Sequence, residues 1–160
     1  VYAHDAFNIS SSRIGILVVL GVFVSGMLQM PLGALADRWN KNSMIITGGL
    51  VVACAIAALR WVEGFSGIFL AQFLFGIGGG ICSPAHMALA VVSGNRTGAM
   101  GSVMALMTLA HSLGMMFGAL LAGVVMDLSA VYNVFPLGAA VIVTGTVFCG
   151  ISIVKKADSR

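Results

Sequence analysis

The sequence predicts an all-α integral membrane protein, a polytopic bundle of five transmembrane helices, and three observations carry that prediction. Hydrophobic residues make up 59% of the 160-residue chain and charged residues only 8%, against about 25% charged in an ordinary soluble domain. Five apolar stretches, at 14–36, 43–62, 67–92, 98–126 and 134–154, match the roughly 20 helical residues that cross a hydrocarbon core. Their apolar runs are continuous rather than alternating, which points to helices and not to barrel strands.

The gaps between these stretches are short. Glu63-Gly64-Phe65 and Asn95-Arg96-Thr97 leave no room for a soluble domain, so residues 1–160 read as one membrane domain. Residues 1–12 read as an external loop and residues 155–160 as a cytoplasmic tail. The basic residues sit singly at span ends instead of forming a patch, so nucleic acid is not an expected partner. Cys54, Cys82 and Cys149 all fall inside spans and read as small hydrophobes rather than as disulfide partners or metal ligands. No metal and no cofactor are expected, and no Walker-type phosphate loop is present.

Charge sets the expected orientation. With the first segment outside, Arg38, Lys41, Arg96, Lys155, Lys156 and Arg160 collect inside, while Arg13 and Arg60 remain outside. That bias favours an external N-terminus and a cytoplasmic C-terminus. Arg60 and Trp61 would anchor the outer end of the second span, where Asp127 also lies at the end of the fourth.

The gap between the first two spans carries Gly33-Ala34-Leu35-Ala36-Asp37-Arg38-Trp39-Asn40-Lys41. Gly33 is expected to let its helix approach a neighbour closely. Asp37 is suited to accept bonds from the free N–H groups of a helix start. Arg38 and Lys41 hold the loop on the cytoplasmic side. The stretch resembles the loop signature of the major facilitator superfamily, Gly-x-Leu-Ala-Asp-Arg-x-Gly-Arg/Lys, with Asn40 in the place of its second glycine.

The likeness continues along the chain. Gln72-Phe73-Leu74-Phe75-Gly76-Ile77-Gly78-Gly79-Gly80, followed by Ser83-Pro84-Ala85, resembles that superfamily's fourth-helix pattern, with Gln72 replacing an arginine. Gly114-x-x-x-Gly118-Ala119-x-x-Ala122-Gly123 is similar to the glycine pattern of its antiporter branch, with Ala119 in place of a proline and Ala122 in place of a glycine. The superfamily is built from two six-helix halves, the second carrying weakened copies of the first-half motifs. The departures fit helices eight to twelve, with helices two to six as the alternative. A chain opening on Val1, without a signal-peptide layout, is on that view part of one half, its partners being the missing helices of the same transporter.

The resemblance implies a secondary transporter that moves a small solute by alternating access, in a bacterial or archaeal plasma membrane. Proton coupling and efflux are implied only by family habit and by the antiporter-like glycines. The loop would act as a conformational latch through Gly33, Asp37, Arg38 and Lys41. Gln72, His86 and His111 are the candidate substrate or proton groups, because polar side chains at membrane depth are costly and histidine titrates near neutral pH. A neutral histidine bonded to a neighbour such as Ser83 or Ser112 explains either one as well. Gly76, Gly78, Gly79, Gly80, Pro84, Gly114, Gly118 and Gly123 are expected to serve helix packing or a hinge. Met104, Met107, Met115 and Met116 offer a pliable lining for apolar substrates, although plain lipid-facing or core packing explains them better.

Two other functions compete. A five-span assembly or scaffold protein would need no solute. An intramembrane serine hydrolase could pair Ser83 with His86 or His111, but Ile81-Cys82-Ser83-Pro84 lacks the glycine two residues before the serine.

Overall fold

In a computed structural model of the chain, which describes residues 10–62, 64–129 and 133–158, all regular structure is helical. The helices are α1 (Ser11–Arg38), α2 (Lys41–Ala58), α3 (Gly64–Thr97), α4 (Met100–Leu128) and α5 (Val134–Asp158). Among the described residues, four of these helices are long and apolar enough to cross a membrane and α5 adds an apolar stretch at Val134–Gly150, in keeping with the expected membrane helical bundle. Most of the expected external loop, residues 1–9, lies outside the described residues, while Ser11 and Ser12 already belong to α1. Residues 155–158 of the expected tail continue α5.

Helix ends explain the other boundary shifts. Residues 95–97, expected as a loop, complete α3. Gly98 follows at φ +65, and the Ala99 amide donates to the Gly94 carbonyl at 3.2 Å. That is the Schellman stop, which a glycine in the left-handed region permits without a Cβ clash. At the other end of α3, Gly64 enters with φ +75.

α3 is the central helix. It packs along α1 on one side and α2 on the other, and α2 carries α5 on its far side. Contacts between α1 and α3 rise together in number: Leu17 clusters with Ile68, Gly21 faces Gln72, and Leu28 faces Gly80. The two helices therefore run parallel. Against α2 the order reverses, from Cys82 beside Ile45 to Gly78 beside Val52, so α2 and α3 are antiparallel.

These helices approach closely because glycines lie at the crossings. A Cβ added at Gly76 would stand 2.7 Å from the Gly21 carbonyl oxygen, and one at Gly80 would stand 2.8 Å from Leu28 Cβ. Close backbone approach maximises dispersion where lipid and protein are equally apolar and burial supplies no driving force. α4 contrasts with this pattern: none of its residues is buried.

Candidate functional site

The junction of α1 and α2 is tighter than the motif suggests. Gly33 through Arg38 are helical, and only Trp39 and Asn40 separate the two helices. Asn40 starts α2: its side chain accepts from the Asn42 amide at 3.0 Å, satisfying one of the free N–H groups of a helix start. Asp37 is therefore not the group that caps α2; it lies in the last turn of α1 and is exposed. Its side chain has no bonding partner among the described residues. A carboxylate at a helix C-terminus opposes its own helix dipole, whereas Arg38 beside it is favourably placed.

Gly33 is also placed differently from expectation. A Cβ there would meet nothing within 4 Å, so Gly33 makes no close helix contact among the described residues. It instead lines a cleft of about 410 Å³ between the ends of α1 and α3, with Asp37 and Lys41 beside it and Pro84, Met87, Ala88 and Val91 along the wall. Parallel packing of α1 and α3 creates this cleft, bringing the loop motif and the turns after Pro84 to one level. Sequence reasoning found the charged residues and missed the apolar wall, because nothing in the sequence says which helix lies beside α1. Trp39 and Trp61, 62% and 76% exposed, mark the two ends of the α2 arm. The 18 residues of α2 between them rise about 27 Å at 1.5 Å per residue, near the thickness of the hydrocarbon core.

Gln72, His86 and His111 are not assembled into one site. Gln72 is half-buried against Gly21 of α1. His86, about 21 Å further along α3 at helical rise, is exposed and bonds the Cys82 backbone one turn back. Its neighbour Ser83 is exposed and holds no bond to either histidine among the described residues. His111 projects from α4 without a bonding partner among the described residues.

The glycines divide into two groups. Gly76, Gly78, Gly79 and Gly80 all meet α1 or α2 atoms within 4 Å, whereas a Cβ at Gly114, Gly118 or Gly123 would meet nothing in that range. The expected packing role of Gly114, Gly118 and Gly123 is thus not met among the described residues. Gly114 and Gly118 instead line an apolar crevice of about 380 Å³ between α4 and α5. α3 stays helical through Pro84.

A glycine-packed helical bundle with no buried charge among the described residues and a basic pair at one inter-helix turn defines a polytopic membrane protein. The chain belongs to the Major Facilitator Superfamily, which it matches over residues 1–159. It is 29% identical to the uncharacterized MFS-type transporter MJ1560 of Methanocaldococcus jannaschii, over 87% of this chain and 37% of that protein. It is 32% identical to the multidrug resistance protein MdtH of Enterobacter sp. (strain 638), over 73% of this chain and 29% of that protein. MdtH of Salmonella paratyphi B matches equally. The chain thus spans about a third of the length of the curated relatives it matches. No solved structure matches it.

Proposed function

We propose that the chain forms part of a secondary transporter that carries a small solute by alternating access, with the α1–α2 junction as its conformational latch. The observation that carries this reading is the placement of Asp37. It stands exposed, and unpartnered among the described residues, at the mouth of the α1–α3 cleft, where its own helix dipole disfavours its charge. Such a carboxylate gains most from a cation or a helix start brought to it by another part of the protein. A contact made in only one of two states and worth about 1.4 kcal/mol shifts their ratio tenfold.

The distribution of basic residues supports a cytoplasmic latch, with α1 entering from outside, and the bacterial and archaeal relatives support a plasma membrane of that kind. The weakened motifs favour the second half of a twelve-helix protein. The likeness to two multidrug resistance proteins, with the glycine pattern of α4, supports efflux of drug-like compounds. Asp37 and Asp127 lie in the last turns of α1 and α4 rather than at mid-span. Proton coupling through this half would therefore fall to His86 or His111, and otherwise to carboxylates on the remaining helices.

The test is flux by the whole protein in proteoliposomes, read with lipophilic dye cations and an imposed proton gradient. Gradient-dependent dye movement that falls in Asp37→Asn supports the reading. Dye movement that ignores Asp37→Asn removes the latch, and a protein inert toward every solute tried under a gradient removes efflux of this class.

A further inference from the structure

We propose that Pro31 of α1 and Pro84 of α3 act as one hinge, about which the ends of α1, α2 and α3 nearest Asp37 swing as a single body. Both prolines lie inside their helices, and they lie at one height. Leu28 Cβ stands 2.8 Å from the Cβ position of Gly80, which sets the register of the two parallel helices. Pro31 follows Leu28 by three residues and Pro84 follows Gly80 by four, about 4.5 and 6 Å further along at helical rise. The two prolines are therefore within about 1.5 Å of the same height on helices that touch.

Each proline removes the helix bond to the carbonyl four residues earlier. The carbonyls released are those of Met27 and Gly80, both at the Leu28–Gly80 contact. No side chain among the described residues donates to either. In α3, Gly78 and Gly79 stand just before the gap and lower the cost of bending further. The third proline of the chain, Pro136, lies in the first turn of α5, where a missing N–H costs nothing. Tolerance of proline within a lipid-embedded helix does not by itself bring both interior prolines to one level.

The neighbouring helices are weakened at the same height. Cys82 Sγ bonds the Ile45 carbonyl at 3.4 Å, so α2 enters this level at Ile45. Two residues on, Thr47 Oγ1 donates to the Ser43 and Met44 carbonyls at 2.9 and 3.2 Å, a back-bonding that bends helices. Gly48 and Gly49 follow at once. Gly48 lies against Gly78 of α3, and Gly49 lies against Thr146 of α5. Across this layer backbones and small side chains meet, and no long side chains interlock to resist a swing.

On either side of the layer the same three helices are clamped together. Toward Asp37, Ala36 of α1, Met44 and Ile45 of α2 and Ala85 of α3 form one buried cluster. Away from it, Leu17 of α1 and Ile68 of α3 pack with Leu59 at the end of α2. Packed clusters of this kind shift as bodies rather than deforming, so bending concentrates in the layer between them. Asp37 and its cleft ride on the swinging body, which carries the carboxylate toward or away from the group it meets. The purpose of the swing rests on the alternating-access reading, whereas its geometry does not.

The test is double electron–electron resonance on the whole protein in lipid nanodiscs, with no solute added. Spin labels on genetically encoded amino acids replace Val19 and Val92, both exposed and one on each side of the layer. The pair Trp39 and Val92 lies wholly on the swinging body and serves as control. Two distances are expected between Val19 and Val92, and one between Trp39 and Val92. Pro31→Ala or Pro84→Ala restores a helix bond, so the minor distance should fall roughly tenfold in either variant. The double variant should fall no further, because the two prolines form one hinge. An unfolding midpoint that holds or rises shows that the variants fold. Two distances persisting in a folded double variant overturn the hinge, as does a single distance in the unaltered protein or a split in the control pair. Losses that add independently overturn the coupling of the two prolines. A protein inert in flux that still shows both distances keeps the hinge and loses only its purpose.

Discussion

Gly48 and Gly78 lie back to back where α2 crosses α3: a Cβ added to either would stand 2.9 Å from the other's carbonyl oxygen. The neighbours are equally close, with Cys82 Sγ 2.7 Å from the Gly48 position and the Val52 amide 2.9 Å from the Gly78 position. Cys82 Sγ also donates to the Ile45 carbonyl at 3.4 Å. The contact is therefore backbone against backbone, and a methyl group cannot be accommodated by turning a side chain.

Gly78→Ala should lower stability for that reason. Alanine improves helix propensity by about 1 kcal/mol, but overpacking a close contact costs about 1–3 kcal/mol, and here the helices themselves must separate. The net expectation is a lower midpoint of thermal unfolding in detergent, with Gly78→Leu much worse than Gly78→Ala. An unchanged midpoint for Gly78→Leu would show that α2 and α3 do not cross here.

Asn40 yields a second prediction. It occupies the position of a glycine in the family's loop pattern, and the structure gives it the cap of α2 through the Asn42 amide. Asn40→Ala should destabilise by about 1 kcal/mol, whereas Asn40→Gly should lose only a few tenths. Unfolding midpoints of the two variants measured side by side decide this. Equal losses would mean that the side-chain cap contributes nothing.

Much of this was legible in the sequence, for an identifiable reason. Continuous apolar runs reveal helices in lipid because every backbone group must bond internally. The stop of α3 was misjudged because Gly94 and Gly98 look alike in sequence. Gly94 is buried against Met100, while Gly98 takes the left-handed turn. What the sequence hides is which helix touches which. Residues facing lipid and residues facing protein are equally apolar, so nothing marked α3 as central or α4 as uncovered. The same four-residue glycine spacing consequently has opposite outcomes, closed over by α1 at Gly76 and Gly80 and open at Gly114 and Gly118.

That contrast is testable within one pair of variants. Gly76→Leu should destabilise strongly, because Gly21 and Val24 atoms lie within 3 Å of the Cβ position. A Cβ at Gly114 meets nothing within 4 Å and the position borders an open crevice, so Gly114→Leu should leave the stability contributed by these five helices nearly unchanged. If α4 instead docks closely against helices outside this chain, Gly114→Leu in the whole protein would lose transport or assembly. Comparing unfolding midpoint with flux for each variant separates the two roles.

Asp37 is the position where stability and function should part most clearly. Its carboxylate is exposed, unpartnered among the described residues and set against its own helix dipole. Asp37→Asn therefore removes an unfavourable charge–dipole interaction worth about 0.3–1 kcal/mol, and the unfolding midpoint should hold or rise slightly. Flux should nevertheless fall, by about tenfold if the latch contact contributes 1.4 kcal/mol to one state. Accessibility of single cysteines introduced along the cleft wall, at Ala88 or Val91, should shift in the same variant as the two states repopulate. Loss of flux with a lower midpoint and unchanged accessibility would make Asp37 a structural residue, because only a residue that biases two states alters their populations while leaving the fold intact.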